Sequence, residues 1–182
     1  MTANSKQAEF IKAYEVCHER FVKYCSSLAF GKMDVQDLVQ DVLVSAFEKF
    51  EKIEKKDELL HYLIRAARNR SVSFWRKRRN QVELTKLHQE RLMDQGITPE
   101  TILDIQILYS KLDQLPFRQK EAIILFEISG FSMKEIAVLQ KSTEGAVKTK
   151  ISRGRTKLAK MLDDRANLKA DSVFNTLKSI TL

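Results

Sequence analysis

Apolar residues recur at steps of three and four over most of this chain, and that spacing is typical of amphipathic helices. Few residues interrupt the pattern, because the 182 residues include only 2 prolines and 5 glycines. Apolar residues make up 43% of the chain and charged residues 31%, which is the balance of a folded, helix-rich protein. The sequence therefore predicts an all-α protein and argues against a disordered chain or a turn-dense β-sandwich.

The first half predicts three helices. The first is expected as one continuous helix from Phe10 to near Gly31. The second begins after Asp34, whose carboxylate suits an N-cap, and the third covers about 59–79. After residue 80 the apolar pattern is lost, so this stretch is predicted to be a flexible linker.

The second half predicts four further helices. Thr98 and Pro99 mark the start of one, Leu115-Pro116 separates it from the next, and Gly130 ends that one. Ser132 and Glu135 have the spacing of a capping box, so a short helix follows to about Gln140. The last helix reaches about Leu162. We therefore predict two small helical domains, with boundaries of 1–80 for the first, 81–100 for the linker, 101–162 for the second and 163–182 for a tail.

Cys17 and Cys25 are predicted to be reduced thiols. On one helix they would lie about 12 Å apart along the axis, too far for a disulfide. The chain also shows no apolar run long enough to cross a membrane and no hydrophobic leader. We expect a cytoplasmic protein without membrane insertion.

The net charge of +8 favours a polyanionic partner. The last helix offers such a partner a polar, cationic face opposite an apolar stripe, and it follows a short helix and a tight turn. This arrangement predicts a helix-turn-helix in which the last helix enters a DNA groove. Its candidate DNA contacts are Lys148, Thr149, Lys150, Ser152, Arg153, Arg155 and Thr156.

The helix at 59–79 carries several arginines and lysines but no acidic residue after His61. Cations contact phosphates, amides bind base edges, and aromatic rings stack on unpaired bases, so this helix suits strand-separated nucleic acid. The aromatic residues could instead complete the core. The candidate contacts are Tyr62, Arg65, Asn69, Ser73, Trp75 and Arg76.

The helix after Asp34 carries an acidic face that includes Asp37, Gln40 and Asp41. A carboxylate face repels nucleic acid, so it is either a docking surface for a protein or a solvated surface. No His, Cys or further acidic motif completes a metal site with it, so we expect no catalytic residue, metal or cofactor.

Three stretches together resemble the extracytoplasmic-function subgroup of bacterial sigma-70 factors. They are DVQDLVQDVLVSAFEKF, LLHYLIRAARNRSVSFWRKRRN and LPFRQKEAIILFEISGFSMKEIAVLQKSTEGAVKTKISRGRTKL. The resemblance implies a sigma factor whose partners are core RNA polymerase, promoter DNA as duplex and melted strand, and an anti-sigma factor.

The resemblance also implies a role for each surface. Asp37, Gln40 and Asp41 match the clamp-binding motif for polymerase. The helix at 59–79 matches the segment that melts and reads the minus-ten element, and the last helix matches the reader of the minus-thirty-five element.

Three positions depart from the family pattern. Ser73 replaces an Asp, Lys141 replaces a Gly in the turn, and Gly154 replaces an Ala on the packing stripe. The base preference near Ser73 therefore cannot be copied from relatives.

Three alternatives stay open at this point. A stand-alone helix-turn-helix regulator would bind duplex DNA without polymerase. A nuclease would require metal-dependent turnover, and a membrane-surface protein would need a continuous apolar face.

Overall fold

The computed structural model describes residues 3–53, 58–77, 93–94, 96–163, 174–175 and 178, and the side chains of all of these except 3, 4, 74–77 and 163. Within these ranges every regular element is a helix, which confirms the all-α prediction. The chain divides into an N-terminal unit, Met1–Glu83, and a C-terminal unit, Leu84–Leu182.

The described helices of the N-terminal unit enclose an aromatic and aliphatic core. They are α1 (Ala3–Glu15), α2 (His18–Ala29), α3 (Val35–Lys49), a short 3₁₀ turn at Phe50–Lys52, and α4 (Leu59–Lys77). Helix α4 packs against α2 and α3. Phe21, Tyr24, Phe50 and Leu63 are fully or almost fully buried in this core, and burial of such side chains supplies most of the driving force for folding.

The side chain of Asp34 caps the N-terminus of α3. The Asp34 carboxylate accepts hydrogen bonds from the backbone N–H groups of Gln36 at 2.7 Å and Asp37 at 3.1 Å. These two groups have no partner inside the helix, so the cap satisfies donors that would otherwise lack one. The prediction of an N-cap at Asp34 is confirmed.

The prediction of one continuous first helix is wrong. The helix is interrupted at Val16 and Cys17. Cys17 has φ −116° and ψ −2°, and its N–H donates to the carbonyl oxygen of Tyr14 at 2.9 Å. The break lets Phe10 on α1 pack edge-on against the Phe50 ring, with 5.2 Å between ring centroids. Apolar spacing continues across the break, so periodicity does not reveal it. Cys17 is the N-cap of α2 and its carbonyl oxygen accepts from the Phe21 N–H at 3.0 Å, so Cys17 and Cys25 still lie along one helix axis, and both are buried free thiols as predicted.

The C-terminal unit contains four further helices in its described part. They are α5 (Pro99–Leu112), α6 (Phe117–Ile123), α7 (Met133–Gln140) and α8 (Glu144–Asp163). Helix α8 packs against α5, α6 and α7. Its packing stripe is buried as predicted, with Val147, Ile151, Gly154, Leu158 and Leu162 all inside.

Local capping positions these helices. Thr98 accepts a hydrogen bond from the N–H of Thr101 at 3.3 Å, and Pro99 begins α5. At α7 the Ser132 hydroxyl accepts from the Glu135 N–H at 3.2 Å, while the Glu135 carboxylate accepts from the Ser132 N–H at 2.8 Å. The predicted capping box is therefore present, and it fixes the first helix of the helix-turn-helix.

Helix α6 does not continue as a regular α-helix to Gly130, contrary to expectation. It is followed directly by a π-helical turn, Ile124–Ile128, in which the Ser129 N–H donates to the Ile124 carbonyl oxygen at 3.0 Å. Gly130 then adopts φ +70°. A π turn rotates the following side chains relative to an α-helix, and Glu127 lies within it.

No helix in the described ranges is long and apolar enough to span a membrane. Of the predicted tail, Phe174 is buried and Lys178 lies near Glu127, while 164–173, 176–177 and 179–182 lie outside the described residues.

Candidate functional site

Helix α3 presents an acidic face to solvent, which we define as Asp37, Gln40 and Asp41. All three side chains are exposed, whereas Leu38, Val42 and Ala46 on the opposite side are buried. This division follows from the 3.6-residue period, because the buried and exposed sets occupy opposite sides of one helix. The acidic face is therefore accessible to a partner.

Val44 adds an exposed apolar side chain next to this face, between Asp41 and Glu48. It is 60% exposed and lies three or four residues from both Gln40 and Asp41. An apolar centre with a polar rim is the usual composition of a protein interface. Sequence reasoning overlooked Val44, although its position between acidic residues could have revealed it.

Asp41 is held by an arginine of α4. Arg70 Nη1 donates to Asp41 Oδ2 at 2.8 Å, and Arg70 Nη2 donates to Ser45 Oγ at 2.9 Å and to the Asp41 carbonyl oxygen at 3.3 Å. The side chains stay 43% and 64% exposed for Arg70 and Asp41. The pair therefore orders the acidic face without burying it.

The Asp37 carboxylate makes no hydrogen bond or ion pair within the part of the chain that the structure describes. One carboxylate of the acidic face is thus engaged by the arginine-rich helix and one is open to solvent.

The outward face of α4 carries the predicted contacts to strand-separated DNA. Arg65, Asn69 and Ser73 follow one another at steps of four and are exposed, while Tyr62 is half-buried. The side chains of Trp75 and Arg76 lie outside the described residues. The described part of this face offers a cation, an amide and a hydroxyl on one side of the helix, and amide and hydroxyl groups can bind base edges.

Five of the residues predicted on α8 are exposed and form no hydrogen bond or ion pair outside α8 among the described residues. They are Lys148, Thr149, Ser152, Arg153 and Thr156. The hydroxyls of Thr149 and Thr156 donate to carbonyl oxygens one turn earlier, at 2.9 and 3.0 Å. Short polar groups between two cations suit a groove in which bases lie between phosphates.

The other two residues predicted on α8 bind protein groups. Lys150 Nζ donates to Gln140 Oε1 at 2.9 Å and to Ser142 Oγ at 3.1 Å. Desolvation by burial lowers the pKa of Lys150, and the nearby Arg118 guanidinium acts in the same direction. Arg155 forms an ion pair with Glu127, a carboxylate that is 4% exposed.

Two departures from the family pattern have direct structural consequences. Lys141 adopts the left-handed conformation with φ 49° and ψ 54°, at the turn between α7 and α8. A β-carbon on Gly154 would lie 2.6 Å from Ile123 Cδ1, so α8 approaches α6 closely there.

No three His, Cys, Asp or Glu residues come together as a metal site within the described ranges. The acidic face lies on α3, and the exposed cations predicted to contact nucleic acid lie on α4 and α8.

Comparison with known proteins assigns a family description to each half of the chain. Residues 13–81 match the model "Sigma-70 region 2", and residues 105–158 match "Sigma-70, region 4". The first match contains the acidic face and the whole of the cationic helix α4. The second contains the helix-turn-helix.

Relatives match over most of their length. The chain is 30% identical over 139 residues to the ECF RNA polymerase sigma factor EcfG of Rhodopseudomonas palustris, covering 76% of this chain and 77% of that protein. It is 24% identical over 158 residues to the ECF RNA polymerase sigma factor SigX of Bacillus subtilis, covering 82% and 81%.

Two solved structures share the fold. The sigma factor RpoE of Bartonella quintana, solved with the anti-sigma factor NepR, gives a TM-score of 0.61 at 28% identity and covers 86% of this chain and 98% of that one. CnrH, solved with the cytosolic domain of CnrY, gives 0.64 at 24% identity and covers 88% and 91%.

Proposed function

The chain belongs to the extracytoplasmic-function branch of the sigma-70 family, and from this premise we propose how its surfaces divide the work of a sigma factor. It binds core RNA polymerase and directs promoter-specific transcription initiation. The acidic face of α3 docks on polymerase, α4 reads the melted minus-ten element, and α8 reads the minus-thirty-five element.

One observation carries this division: the exposed face of α3 around Asp37 and Asp41 is acidic, whereas the exposed face of α8 around Lys148 and Arg153 is cationic. Opposite charges select opposite partners, because a carboxylate repels DNA phosphates and a cation attracts them. A stand-alone DNA-binding regulator has no use for an exposed acidic helix.

The protein contributes binding energy and no catalytic group in this proposal. Polymerase performs the phosphoryl transfer, and the sigma factor holds extruded bases of the melted strand. Tyr62, Asn69 and Ser73 are the described polar groups available for those bases, with Arg65 for the backbone. The site of action is the cytoplasm, where polymerase and promoter meet.

An anti-sigma factor is the proposed regulator of the free protein. The support is the likeness to the Bartonella quintana sigma factor, which was solved in complex with its anti-sigma factor. A regulator that covers the acidic face would compete directly with polymerase for Asp37 and its neighbours.

The test of the docking surface is a charge reversal. Asp37→Arg combined with Asp41→Arg is expected to abolish capture of core polymerase and run-off transcription, because two attractive contacts become repulsive. The control is Glu15→Arg with Glu51→Arg, which makes the same change of net charge on exposed positions of the same unit and is expected to bind as wild type. Equal capture of polymerase by the two double variants would contradict the proposal.

A further inference from the structure

Lys150 and Arg155 lie on the cationic helix α8 but are engaged by the protein itself. We propose that these two residues are positioning residues, which hold α8 at a fixed orientation in the helix-turn-helix, and that the phosphate contacts of α8 come from Lys148 and Arg153. The inference rests on the proposed DNA-reading role of α8 and refines it residue by residue.

The first tie joins α8 to α7 and α6 through Lys150. Its ammonium group donates to Gln140 Oε1 at 2.9 Å and to Ser142 Oγ at 3.1 Å. Gln140 ends α7 and is 2% exposed. Its amide nitrogen donates onward to Glu121 Oε2 at 3.0 Å and to the Arg118 carbonyl oxygen at 3.1 Å, both on α6.

This connection is reciprocal, because Arg118 Nη1 donates back to the Gln140 carbonyl oxygen at 2.8 Å. That carbonyl lies at the end of α7 and has no regular partner inside the helix. If Lys150 turned outward to a phosphate, the buried Gln140 Oε1 would lose the only hydrogen bond it makes among the described residues. An unmade hydrogen bond at a buried acceptor is costly.

The second tie joins α8 to the π-helical turn through Arg155. The Arg155 guanidinium pairs with Glu127 Oε1, and Lys178 Nζ lies 3.8 Å from Glu127 Oε2. Glu127 is 4% exposed, so its carboxylate has little contact with water and pairs with these cations instead. Moving Arg155 to DNA would weaken the compensation of a buried carboxylate.

The two ties act on different sides of α8. Lys150 and Arg155 are five residues apart, which places them about 140° apart around the helix axis. Together they oppose rotation of α8 about that axis, and rotation determines which side chains reach base edges in a groove. Lys148 and Arg153 are exposed and have no such ties within the described residues.

The salt dependence of promoter binding separates the two roles. The protein is assembled with core polymerase, and the probe is the duplex that wild-type holoenzyme selects from a random-sequence library. Each phosphate contact adds about 0.9 to the slope of log affinity against log salt concentration. Lys148→Met and Arg153→Met are therefore expected to lower the slope by about 0.9 each and to weaken binding equally on all sequences.

Lys150→Met and Arg155→Met are expected to leave the slope unchanged. Instead they lower the preference for the selected duplex over one with a scrambled upstream element by roughly tenfold, which is within the range of one base contact. A slope reduced by about 0.9 in Lys150→Met or Arg155→Met, as in the Lys148→Met control, would overturn the positioning role.

A double-variant cycle gives a second readout that does not depend on the slope. In a Glu127→Gln background the buried charge is absent, so Arg155→Met is expected to cause at most a small further loss of preference. Equal losses in both backgrounds would identify Arg155 as a direct DNA contact and overturn its positioning role. If wild-type holoenzyme selects no duplex at all, the proposed function itself fails, and this result is distinct from either slope outcome.

Discussion

Both cationic helices use basic side chains to hold the protein together, but in different environments. On α4 of the N-terminal unit, Arg70 grips Asp41 and Ser45 at a surface where the two charged side chains stay substantially exposed. On α8 of the C-terminal unit, Lys150 and Arg155 bind Gln140 and Glu127, which are buried. The chemistry is alike and the surrounding dielectric differs.

The difference determines which contacts a partner can displace. Water and salt screen an exposed ion pair, so a competing charge replaces it at little cost. A buried partner stays without compensation when its cation leaves, so that contact persists. We infer that Asp41 can exchange its ion pair with Arg70 for one with a cation of polymerase. The helix-turn-helix, in contrast, keeps its geometry when it binds DNA.

The largest expected effect on stability comes from removing the ion pair between Arg155 and the buried Glu127. Arg155→Met leaves Glu127 paired with Lys178 alone among the described residues, and we expect a loss of about 2 to 3 kcal/mol in the stability of the C-terminal unit. Hydrogen exchange of α6 and α8 measures this loss locally. The control Arg153→Met removes an exposed cation from the same helix and is expected to change exchange by less than about 0.5 kcal/mol. Equal effects of the two variants would remove the distinction between a cation paired with a buried carboxylate and a cation without such a partner.

A smaller effect, of opposite sign, is expected at the turn between α7 and α8. Lys141 holds φ 49°, a conformation that costs a residue with a β-carbon roughly 1 kcal/mol. Lys141→Gly is therefore expected to raise the unfolding midpoint of the C-terminal unit in urea. The matched control Lys134→Gly lies within α7, where glycine is expected to destabilise by about as much. A destabilised Lys141→Gly would show that the side chain of Lys141 contributes more than its backbone strain costs.

Removing the exposed ion pair between Arg70 and Asp41 is expected to lower the stability of its unit by less than this. Arg70→Met removes a pair that is open to solvent, so the N-terminal unit should lose less than about 1 kcal/mol. Titration of labelled protein with core polymerase should show affinity equal to or above that of wild type, because Asp41 becomes available. A loss of polymerase binding comparable to that of the double charge reversal would show that Arg70 holds the acidic face in its binding conformation.

The last effect concerns the core of the N-terminal unit and is expected only at alkaline pH. Burial raises the pKa of Cys17 to about 11 and that of Tyr14 to about 12, and it also raises the pKa of Cys25. The unfolded chain ionises its thiols first as pH rises, so stability is fully present below the ordinary thiol pKa of about 8.5 and declines as pH rises through about 11. The urea midpoint, followed through the single Trp75, should fall across this window.

Thiol reactivity provides the control for that prediction. At about pH 8 both cysteines of the folded protein should react with Ellman's reagent far more slowly than in urea, because only thiolates attack and burial disfavours them. Rapid reaction of the folded protein would contradict the assigned burial.

Local signals made much of the fold predictable. Asp34, Thr98 and Ser132 each satisfy backbone donors within three residues, so the helix starts could be read from the chain without tertiary information. The buried stripe of α8 followed in the same way from its period. The break at Val16 was not predictable from spacing, because the break leaves the spacing of apolar residues intact.

The candidate surfaces were predictable in outline, and their internal contacts only in part. Arg70 lies seven residues after the buried Leu63, on the apolar side of α4, and a cation at such a position needs a partner, so its pairing could have been anticipated. Lys150 and Lys148 both flank the stripe of α8 and look equivalent in sequence. Only the position of Gln140, fixed by packing of α7 against α8, distinguishes them.

The most direct test of charge segregation is photo-crosslinking from two positions within the assembled complex. A benzophenone side chain replaces Gln40 on α3 or Ser152 on α8, both of which are exposed, and holoenzyme is illuminated on its selected promoter. Position 40 is expected to crosslink to a polymerase subunit, and position 152 is expected to crosslink to DNA at the upstream element. Crosslinks from position 40 to DNA, or from position 152 to polymerase and not to DNA, would contradict charge segregation.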